Sequence, residues 1–392
     1  MLCCAVAYSI YEYDGRVKRE TEALLQSGHE VDVICLGEKN KQGQAVVDGA
    51  RLYRVQDRNV NEKYLIQYMY RLVKFFVLAF FKLTRLYLKK RYTIIHVHNL
   101  PDFLVFTTIV PKLFGAKIIL DIHDVLPEFY ARKFNVSMNH FCVRFLKFLE
   151  RISTGYSDHV ITVTEIWRER LCQRGVPENK CSVILNAPDE RLFPENFQPI
   201  SNNGAPIKLI YTGTLKEHSG IDVILKAMQK VKLAGTNVLL DVYGMGEEKD
   251  NLKKQAETLQ IQNQVQFHDA VPICRMSEVL AGADIGIDPK KDGIYSGETL
   301  SVKSMEFLAT GLPAIVSKTK AAAAYYDDSM VFFFTPDEPE DLAELIIELC
   351  RNPRRRETQR ANGRKYFMQH SWNQYRQKYL EIIRELSPAN SG

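Results

Sequence analysis

The sequence of 392 residues lacks the cysteine patterns of disulfide-rich and zinc-binding domains. Its eight cysteines include no C-x-x-C pair and no cysteine–histidine spacing that suits a metal, and no secretory signal precedes them. We therefore expect a reducing, cytoplasmic compartment and no structural zinc. Low-complexity tracts are also missing, and 46% hydrophobic with 25% charged residues is an ordinary globular composition, which excludes a largely disordered chain.

A hydrophobic run long enough to cross a bilayer, about 20 residues, is missing as well. The most apolar segment, residues 64–92, is interrupted by charges, and several of its basic residues fall in one stripe at about 100° per residue. These basic residues are Arg71, Lys74, Lys82, Arg85 and Lys89. Two interpretations stay open: a helix that lies on an anionic membrane surface, or a domain helix whose basic stripe faces water.

The charge of the chain is unevenly distributed. The net charge of +5 divides into +6 before a break near residue 197 and −1 after it, and much of the excess lies in residues 64–92. Because the second half is not basic and no nucleic-acid-binding motif appears, we expect no nucleic acid partner.

Length and periodicity predict two α/β domains, since 392 residues suit two cores of about 150–200 residues better than one. β-branched and aliphatic runs alternate with helical periodicity in both halves, which indicates Rossmann-like parallel sheets wrapped by helices. We place the first domain at 1–197, the second at 206–370 and the linker in the polar residues 195–206. The predicted strands begin near residues 2, 30, 93, 117, 159 and 181, and then near 207, 237, 264, 284, 313 and 330.

Polar and glycine residues follow several of these strands, at the edge where open parallel sheets bind ligands. They are Asn99, Asp102, His123 and Asp124 in the first half, and Gly213, Thr214, Gly244 and Gly246 in the second. The segment SGETLSVKSMEFLATGLPAIVS, residues 296–317, follows a predicted strand in the same way. A helix that begins near Ser301 would offer free amides and the positive end of its dipole to a phosphate.

Two charged residues of this segment suit a nucleotide. Lys303 adds positive charge in the first helical turn, and Glu306, one turn deeper, can accept hydrogen bonds from the hydroxyls of a ribose. The alternative is an ordinary ion pair between Lys303 and Glu306 on a solvated face, worth about 0.2–0.5 kcal/mol.

The order of motifs along the chain resembles the family 4 glycosyltransferases, retaining enzymes of the GT-B fold that use nucleotide sugars. The motifs are DGRVKRETEALLQSGHEVDVICL at 14, DIHDVLPE at 121, ILNAPDERLF at 184, YTGTLKEHSGIDVILKAM at 211, VYGMGEE at 242, VQFHDAVP at 265, ADIGIDP at 283 and the segment at 296–317. This resemblance covers nearly the whole chain. It implies an α/β fold of the GT-B type, with two Rossmann-like domains facing across a cleft and a final helix, 371–387, that crosses back to the first domain.

The resemblance also implies roles for particular residues. Glu298 and Glu306 match the family's E-x7-E pattern, in which the second glutamate typically binds ribose hydroxyls and the first lies beside the donor sugar. His123 occupies the position of the family's active-site histidine, so His123 and Glu298 are the catalytic candidates; a histidine that only caps a strand is the alternative. The candidates for donor binding are Gly15, Arg16, Thr214, Lys216, Gly244, Leu300, Ser301, Lys303 and Glu306.

One departure from the family pattern concerns the diphosphate. Thr214 and Ser219 stand where the family usually has an arginine and a lysine. We hypothesise that Lys303 supplies most of the positive charge that these two residues would give to the diphosphate. Strict D-x-D is absent from the chain, so neither a metal nor any other cofactor is expected beside the nucleotide-sugar substrate.

The resulting prediction is a retaining glycosyltransferase that uses a UDP- or GDP-linked sugar. Its acceptor would be a glycan or a polyprenyl-diphosphate-linked glycan in surface polysaccharide assembly, such as exopolysaccharide, capsule or O-antigen. We expect it to be cytoplasmic and peripheral on the inner face of the membrane, with the basic stripe at 64–92 as the membrane or acceptor surface. Two alternatives are a degenerate GT-B protein that binds nucleotide or glycan without turnover, and a GT-B nucleotide-sugar epimerase.

Overall fold

The computed structural model describes residues 1–38, 43–58, 65–194 and 205–387, which divide into two compact units. The first unit contains Met1–Asn186 together with Tyr375–Gly392, and the second contains Ala187–Gln374. The predicted boundary at 197 is therefore too late. The residues just before 195 belong to the second unit, where the Phe193 carbonyl accepts a hydrogen bond from Arg364 and the Phe193 side chain is buried. Most of the predicted linker, 195–204, lies outside the described residues.

The first unit is built on an eight-stranded sheet with the order β3-β4-β2-β1-β5-β6-β7-β8. Its strands are β1 (Leu2–Ile10), β2 (Glu30–Gly37), β3 (Gly43–Val47), β4 (Ala50–Asp57), β5 (Ile94–His98), β6 (Lys117–Ile122), β7 (His159–Thr162) and β8 (Cys181–Val183). All neighbouring pairs are parallel except β3 with β4. Six of these strands match the sequence prediction, because strands covered on both faces appear as continuous apolar runs.

The antiparallel pair β3–β4 was not predicted from the sequence. Asp48 and Gly49 connect the two strands with positive φ angles of 51° and 91°, and Val47 pairs with Ala50. Two central residues with positive φ define the tight hairpin turn that Asp-Gly favours. The signal was present as VVDGAR, but the surrounding runs are short and half-exposed.

Among the described residues, six α-helices precede the second unit: α1 (Gly15–Gln26), α2 (Leu65–Lys90), α3 (Ile109–Leu113), α4 (Leu126–Lys133), α5 (Phe141–Tyr156) and α6 (Glu165–Gln173). Helix α1 begins at Gly15 because the Asp14 carboxylate accepts hydrogen bonds from the amides of Arg16 and Val17, at 3.2 and 3.1 Å. In the described part of the chain, no helix has the length and apolar character that crossing a bilayer requires.

The second unit has a six-stranded parallel sheet with the order β11-β10-β9-β12-β13-β14. Its strands are β9 (Ile207–Thr212), β10 (Val238–Tyr243), β11 (Val265–His268), β12 (Ile285–Asp288), β13 (Ala314–Ser317) and β14 (Phe332–Phe334). Its helices are α7 (Ile221–Leu233), α8 (Lys249–Thr258), α9 (Ile273–Ala281), α10 (Val302–Thr310), α11 (Lys320–Tyr325), α12 (Pro339–Arg351) and α13 (Pro353–Gln369). The sequence predicted all six strands.

The last helix, α14 (Trp372–Leu386), leaves the second unit and joins the first at Tyr375. Tyr379 of this helix is fully buried, and its hydroxyl lies 3.1 Å from Nδ1 of His96 on β5. The prediction that the final helix returns to the first domain is thus confirmed.

Candidate functional site

Helix α10 starts at the edge where the strands of the second sheet end. Ser301 has extended backbone angles and precedes the first helical residue, Val302, so the helix begins where the sequence predicted. It ends at Gly311, whose φ of +73° lies in the left-handed region that glycine adopts without strain. Ser304 donates to the Ser301 carbonyl at 2.8 Å and steadies the first turn. The free amides of this turn are suited to an anion.

Lys303 is held in place at this edge. Its Nζ lies 3.2 Å from Oδ1 of Asp288, the buried last residue of β12, and 4.9 Å from the centre of the Tyr211 ring. Burial alone would lower the pKa of the Lys303 ammonium, but the Asp288 carboxylate and the Tyr211 phenol raise that pKa above its ordinary value. Lys303 is therefore a fixed, permanently charged group that still exposes a fifth of its side chain.

The loops that follow β9 and β10 touch each other through glycine. A Cβ atom on Gly244 would lie 1.8 Å from the Gly213 carbonyl oxygen, and one on Gly246 would lie 2.1 Å from the carbonyl oxygen of Leu215. A Cβ on Gly213 itself, at φ +135°, would lie 3.0 Å from Cδ of Lys303. Packing between loops is thus sufficient to explain Gly244, and Gly213, at the end of β9, lies beside Lys303.

Both glutamates of the E-x7-E segment are buried. Glu298 exposes 7% of its surface, and its Oε1 accepts a hydrogen bond from Lys320 at 3.1 Å; Glu306 exposes 8%. Leu300 and Ser301 lie between them and are half-buried. A buried carboxylate can accept hydrogen bonds from sugar hydroxyls with little competition from water.

Thr214 and Ser219, which replace two expected cations, organise the loop after β9. The Thr214 carbonyl accepts hydrogen bonds from the Ser219 hydroxyl at 2.7 Å and the Tyr211 hydroxyl at 2.9 Å. Lys216 in the same loop is exposed and lines a groove of about 260 Å³ together with Lys291. The loop therefore offers its backbone and the exposed ammonium of Lys216 to a ligand.

In the first unit, Asn99 joins the loops after β5 and β6. Its Oδ1 accepts from the amides of His123 and Asp124 at 3.1 and 3.4 Å, and its Nδ2 donates to Asp102 at 2.9 Å. Burial raises the pKa of the Asp102 carboxyl to about 6, against the lowering effect of the Asn99 hydrogen bond. The His123 side chain is about a quarter exposed, and its Nδ1 is 3.9 Å from Oδ2 of Asp121. The polar residues predicted to cluster at these strand ends do lie together.

Arg16 does not occupy the position that the sequence predicted. Its guanidinium is buried, where Nε and Nη2 donate to both oxygens of Asp121 at 2.6 and 3.0 Å and Nη1 donates to the Ile184 carbonyl at 2.9 Å. Nη2 also lies 3.4 Å from Glu20, one helical turn away. Because its donors are committed inside the first unit, these contacts do not support the prediction that Arg16 binds the donor. Gly15, by contrast, has nothing within 4 Å of where a Cβ would stand.

Arg16 belongs to a buried polar cluster that the sequence analysis missed. Glu20, His96, His98 and Asp121 place one ligand atom each within 4.8 Å of one another, an arrangement that could hold a metal ion. The guanidinium of Arg16 already supplies the positive charge that two buried carboxylates need, so the residues present fit an internal cation better than an added one. Asp121 and Glu20 raise the pKa of His98 against the effect of its burial, and burial raises the pKa of Glu20 to about 7.

The basic stripe on α2 is only partly directed outward. Lys74, Arg85 and Lys89 are exposed, whereas Arg71 and Lys82 are half-buried. The Lys82 ammonium lies 4.5 Å from the centre of the Tyr53 ring, and burial lowers its pKa. Lys82 therefore contributes less than predicted to an outward-facing surface.

Two family descriptions match this chain side by side. "Glycosyltransferase Family 4" matches residues 16–191, and "Glycosyl transferases group 1" matches residues 193–366. The chain belongs to the family 4 glycosyltransferases. Each match falls almost entirely on one of the two units, which agrees with the GT-B arrangement of two Rossmann-like sheets.

Relatives and solved structures agree with this glycosyltransferase assignment. An uncharacterized glycosyltransferase of Methanocaldococcus jannaschii is 23% identical over 80% of both chains, and the amylovoran biosynthesis glycosyltransferase AmsK of Erwinia amylovora is 22% identical over 48% of this chain and 47% of its own. Sucrose-phosphate synthase of Thermosynechococcus elongatus superposes with a TM-score of 0.77 at 17% identity, covering 98% and 99% of the two chains. The Anabaena protein HepE, in complex with UDP-glucose, gives 0.68 at 14% identity, covering 98% and 99%.

Some important residues of this glycosyltransferase carried weak sequence signals. His96 and His98 alternate along β5, and a period of two places both on one face of the strand. Asp121 and Asp288 each lie at the end of a β-strand run, within DIHD and DIGIDP. What no pattern shows is that Asp121 pairs with Arg16 and Asp288 with Lys303, since these partners are distant in sequence.

Proposed function

We propose that this glycosyltransferase retains anomeric configuration and transfers a hexose or related sugar from a nucleotide-sugar donor. The observation that supports the donor most directly is the start of α10, where free amides, the charged Lys303 and the buried Glu306 lie in consecutive turns at the end of a parallel sheet. These groups complement a nucleoside diphosphate, whose phosphates are anionic and whose ribose hydroxyls can donate to a carboxylate.

In this mechanism, residues of the second unit stabilise the leaving nucleoside diphosphate. As the bond between the sugar and the diphosphate breaks, negative charge grows on the diphosphate, and the Lys303 ammonium with the α10 amides would stabilise it. Glu306 would accept hydrogen bonds from the ribose, and Glu298, held by Lys320, would lie beside the donor sugar. His123 is the candidate for stabilising charge at the reacting carbon. The absence of D-x-D supports a reaction that needs no metal.

For the donor we propose a UDP- or GDP-linked sugar. The HepE structure with bound UDP-glucose supports UDP as the first nucleotide to test. For the acceptor we propose a glycan or a polyprenyl-diphosphate-linked glycan in surface polysaccharide assembly, and the similarity to the amylovoran biosynthesis enzyme supports that setting. Such an acceptor is anchored in the membrane, so we place the enzyme on the cytoplasmic face of an anionic membrane, with the exposed Lys74, Arg85 and Lys89 toward it.

The deciding experiment is isothermal titration of UDP, GDP and ADP into the wild-type protein and into Glu306→Gln. We expect micromolar binding of one nucleotide, weakened at least about tenfold by the substitution, because a charged acceptor is replaced by a neutral one. Lys320→Ala is the matched control, since it removes an exposed cation that contacts Glu298 rather than the ribose site. Absence of binding by all three nucleotides would favour a degenerate GT-B protein without turnover. In a separate turnover assay, conversion of a nucleotide sugar without an acceptor would favour an epimerase.

A further inference from the structure

Helix α5 carries a line of large apolar side chains that face solvent. Phe141, Phe145, Phe148 and Ile152 are 78%, 50%, 57% and 39% exposed, and their spacing of four, three and four residues places them along one face. The buried residues of α5, such as Val143, lie on the opposite side. A helix of a water-soluble domain ordinarily points polar residues in this direction.

Helix α2 shows the same arrangement. Tyr70, Val73, Val77, Phe81 and Leu88 are 68%, 52%, 42%, 66% and 55% exposed and follow one another at intervals of three, four, four and seven residues. At about 100° per residue they occupy the centre of the outward face, and the basic stripe lies along its flank. The interpretation of α2 as an ordinary domain helix requires its apolar residues to be buried in the protein; these five are not.

Helices α2 and α5 lie on the same face of the first sheet, because the parallel crossovers β4–α2–β5 and β6–α5–β7 advance in the same direction along it and such crossovers are right-handed. Residues 102–108 contact both helices: the ring of Phe103 lies 5.9 Å from Phe76 on α2, and the ring of Phe106 lies 5.1 Å from Tyr156 on α5. Helix α3 follows directly, and Phe114 at its end is 61% exposed. We call this surface, formed by the outward residues of α2, α3 and α5, the aromatic face.

The charges around the aromatic face have one sign. Helices α2, α3 and α5 contain ten lysine or arginine residues and one acidic residue, Glu150. Glu150 is buried and accepts hydrogen bonds from Arg174 at 3.0 Å, so these three helices present no exposed carboxylate. Arg144 and Arg151 flank the α5 stripe and are exposed. Apolar side chains between basic ones match an anionic lipid surface.

We propose that the aromatic face inserts into the outer acyl region of an anionic bilayer, while its flanking lysines and arginines contact lipid phosphates. This inference rests on the proposed membrane association and identifies the part of the chain that enters the bilayer. The charge pattern favours a membrane over a second copy of the chain, because a symmetric dimer through this face would bring two sets of positive charges together.

The test is co-sedimentation of the full chain with vesicles of phosphatidylglycerol and phosphatidylcholine, and with phosphatidylcholine alone. We expect the wild type to bind anionic vesicles. The affinity of Phe145→Ser/Phe148→Ser for these vesicles should be at least about tenfold lower, because the two rings that enter the bilayer are removed. The matched control is Leu233→Ser, which changes an 81% exposed apolar residue of the second unit and leaves binding unchanged.

A second measurement does not depend on weakening the binding. The two natural tryptophans, Trp167 and Trp372, are 0% and 4% exposed, so a tryptophan introduced by Phe148→Trp reports directly on its surroundings. Brominated acyl chains should quench its fluorescence, and they should leave Leu233→Trp unquenched.

The possible outcomes separate the inference from the membrane proposal. If the wild type binds anionic vesicles, Phe145→Ser/Phe148→Ser binds them equally well and Phe148→Trp is not quenched, insertion of the aromatic face is overturned. Electrostatic attraction by the basic stripe would then account for the binding. No binding of the wild type to anionic vesicles would overturn both proposals. A loss of self-association in the double variant, without vesicle binding by the wild type, would assign the face to a second copy.

Discussion

The guanidinium of Arg16 donates to both carboxylate oxygens of Asp121, at 2.6 and 3.0 Å, inside the first unit. A bidentate pair of this kind combines two charge-assisted hydrogen bonds, and here both partners are removed from water. Burial by itself would raise the pKa of Asp121, but the opposing effects of Arg16, His98 and His123 are together larger and hold that pKa well below its ordinary value. The carboxylate therefore stays ionised. Helix α1 is thereby attached to the sheet at β6.

We expect Arg16→Ala to lower the free energy of unfolding by about 3–5 kcal/mol, because it leaves the buried Asp121 carboxylate without its counterion. Denaturant titration followed by circular dichroism measures the change. The control on the same helix is Lys18→Ala, which breaks an exposed ion pair with Asp48 and should cost about 0–1 kcal/mol. A small effect of Arg16→Ala on stability, together with lost nucleotide binding, would instead support the predicted role of Arg16 in donor binding.

A second prediction concerns Asp102 and pH. Because burial raises the Asp102 pKa to about 6 from an ordinary 3.8, the folded state binds this proton more tightly than the unfolded chain does. The stabilising contribution is therefore complete below pH 4 and is lost between pH 4 and 6, by about 1.4 kcal/mol for each unit of the shift. Asp102→Asn keeps an acceptor for Asn99 but has no proton to lose. The unfolding free energies of the two proteins, measured from pH 4 to 7, should diverge over this window; parallel curves would contradict the prediction.

Lys303 provides a third prediction, since its charge is assigned to the leaving diphosphate. Lys303→Ala should lower nucleotide-sugar turnover by about 100-fold or more, as removing a preorganised electrostatic group does elsewhere. The substitution also leaves the buried Asp288 carboxylate unpaired. The double variant Lys303→Ala/Asp288→Asn separates the two effects: we expect it to recover stability but not turnover. Turnover by Lys303→Ala within a few fold of wild type would end the hypothesis.

Two glycines provide a fourth prediction, with opposite outcomes. Gly244→Ala should prevent normal folding of the second unit, because its Cβ would stand 1.8 Å from the backbone oxygen of Gly213. Gly15→Ala meets nothing within 4 Å and should leave stability nearly unchanged. If the α1 start approaches the donor diphosphate closely, Gly15→Ala should nevertheless raise the KM for the nucleotide sugar. An unchanged KM would remove Gly15 from the donor site.

The sequence predicted the framework well and the pairings poorly. All six strands of the second sheet and six of the eight in the first were predictable, because strands buried on both faces appear as uninterrupted apolar runs between helical segments. The start of α10 at Val302 was predictable for a similarly local reason, a serine followed by helical periodicity. The β3–β4 hairpin was missed although its Asp-Gly turn is a local signal, because β3 has no buried residue and therefore no apolar run. The boundary after Asn186 was missed because it depends on packing between distant segments.

By itself, the sequence determined the alternation of strands and helices, the family and the identity of the residues at the strand ends, because each of these is local or lies in a motif. Only the tertiary structure decided that Arg16 faces Asp121 rather than solvent and that Lys303 is anchored by Asp288. It also decided that the apolar residues of α2 and α5 point outward. The physical reason is the same for the two ion pairs and for the outward apolar residues. Charge pairing and burial depend on tertiary contacts between distant segments, and one local sequence pattern is compatible with several sets of such contacts.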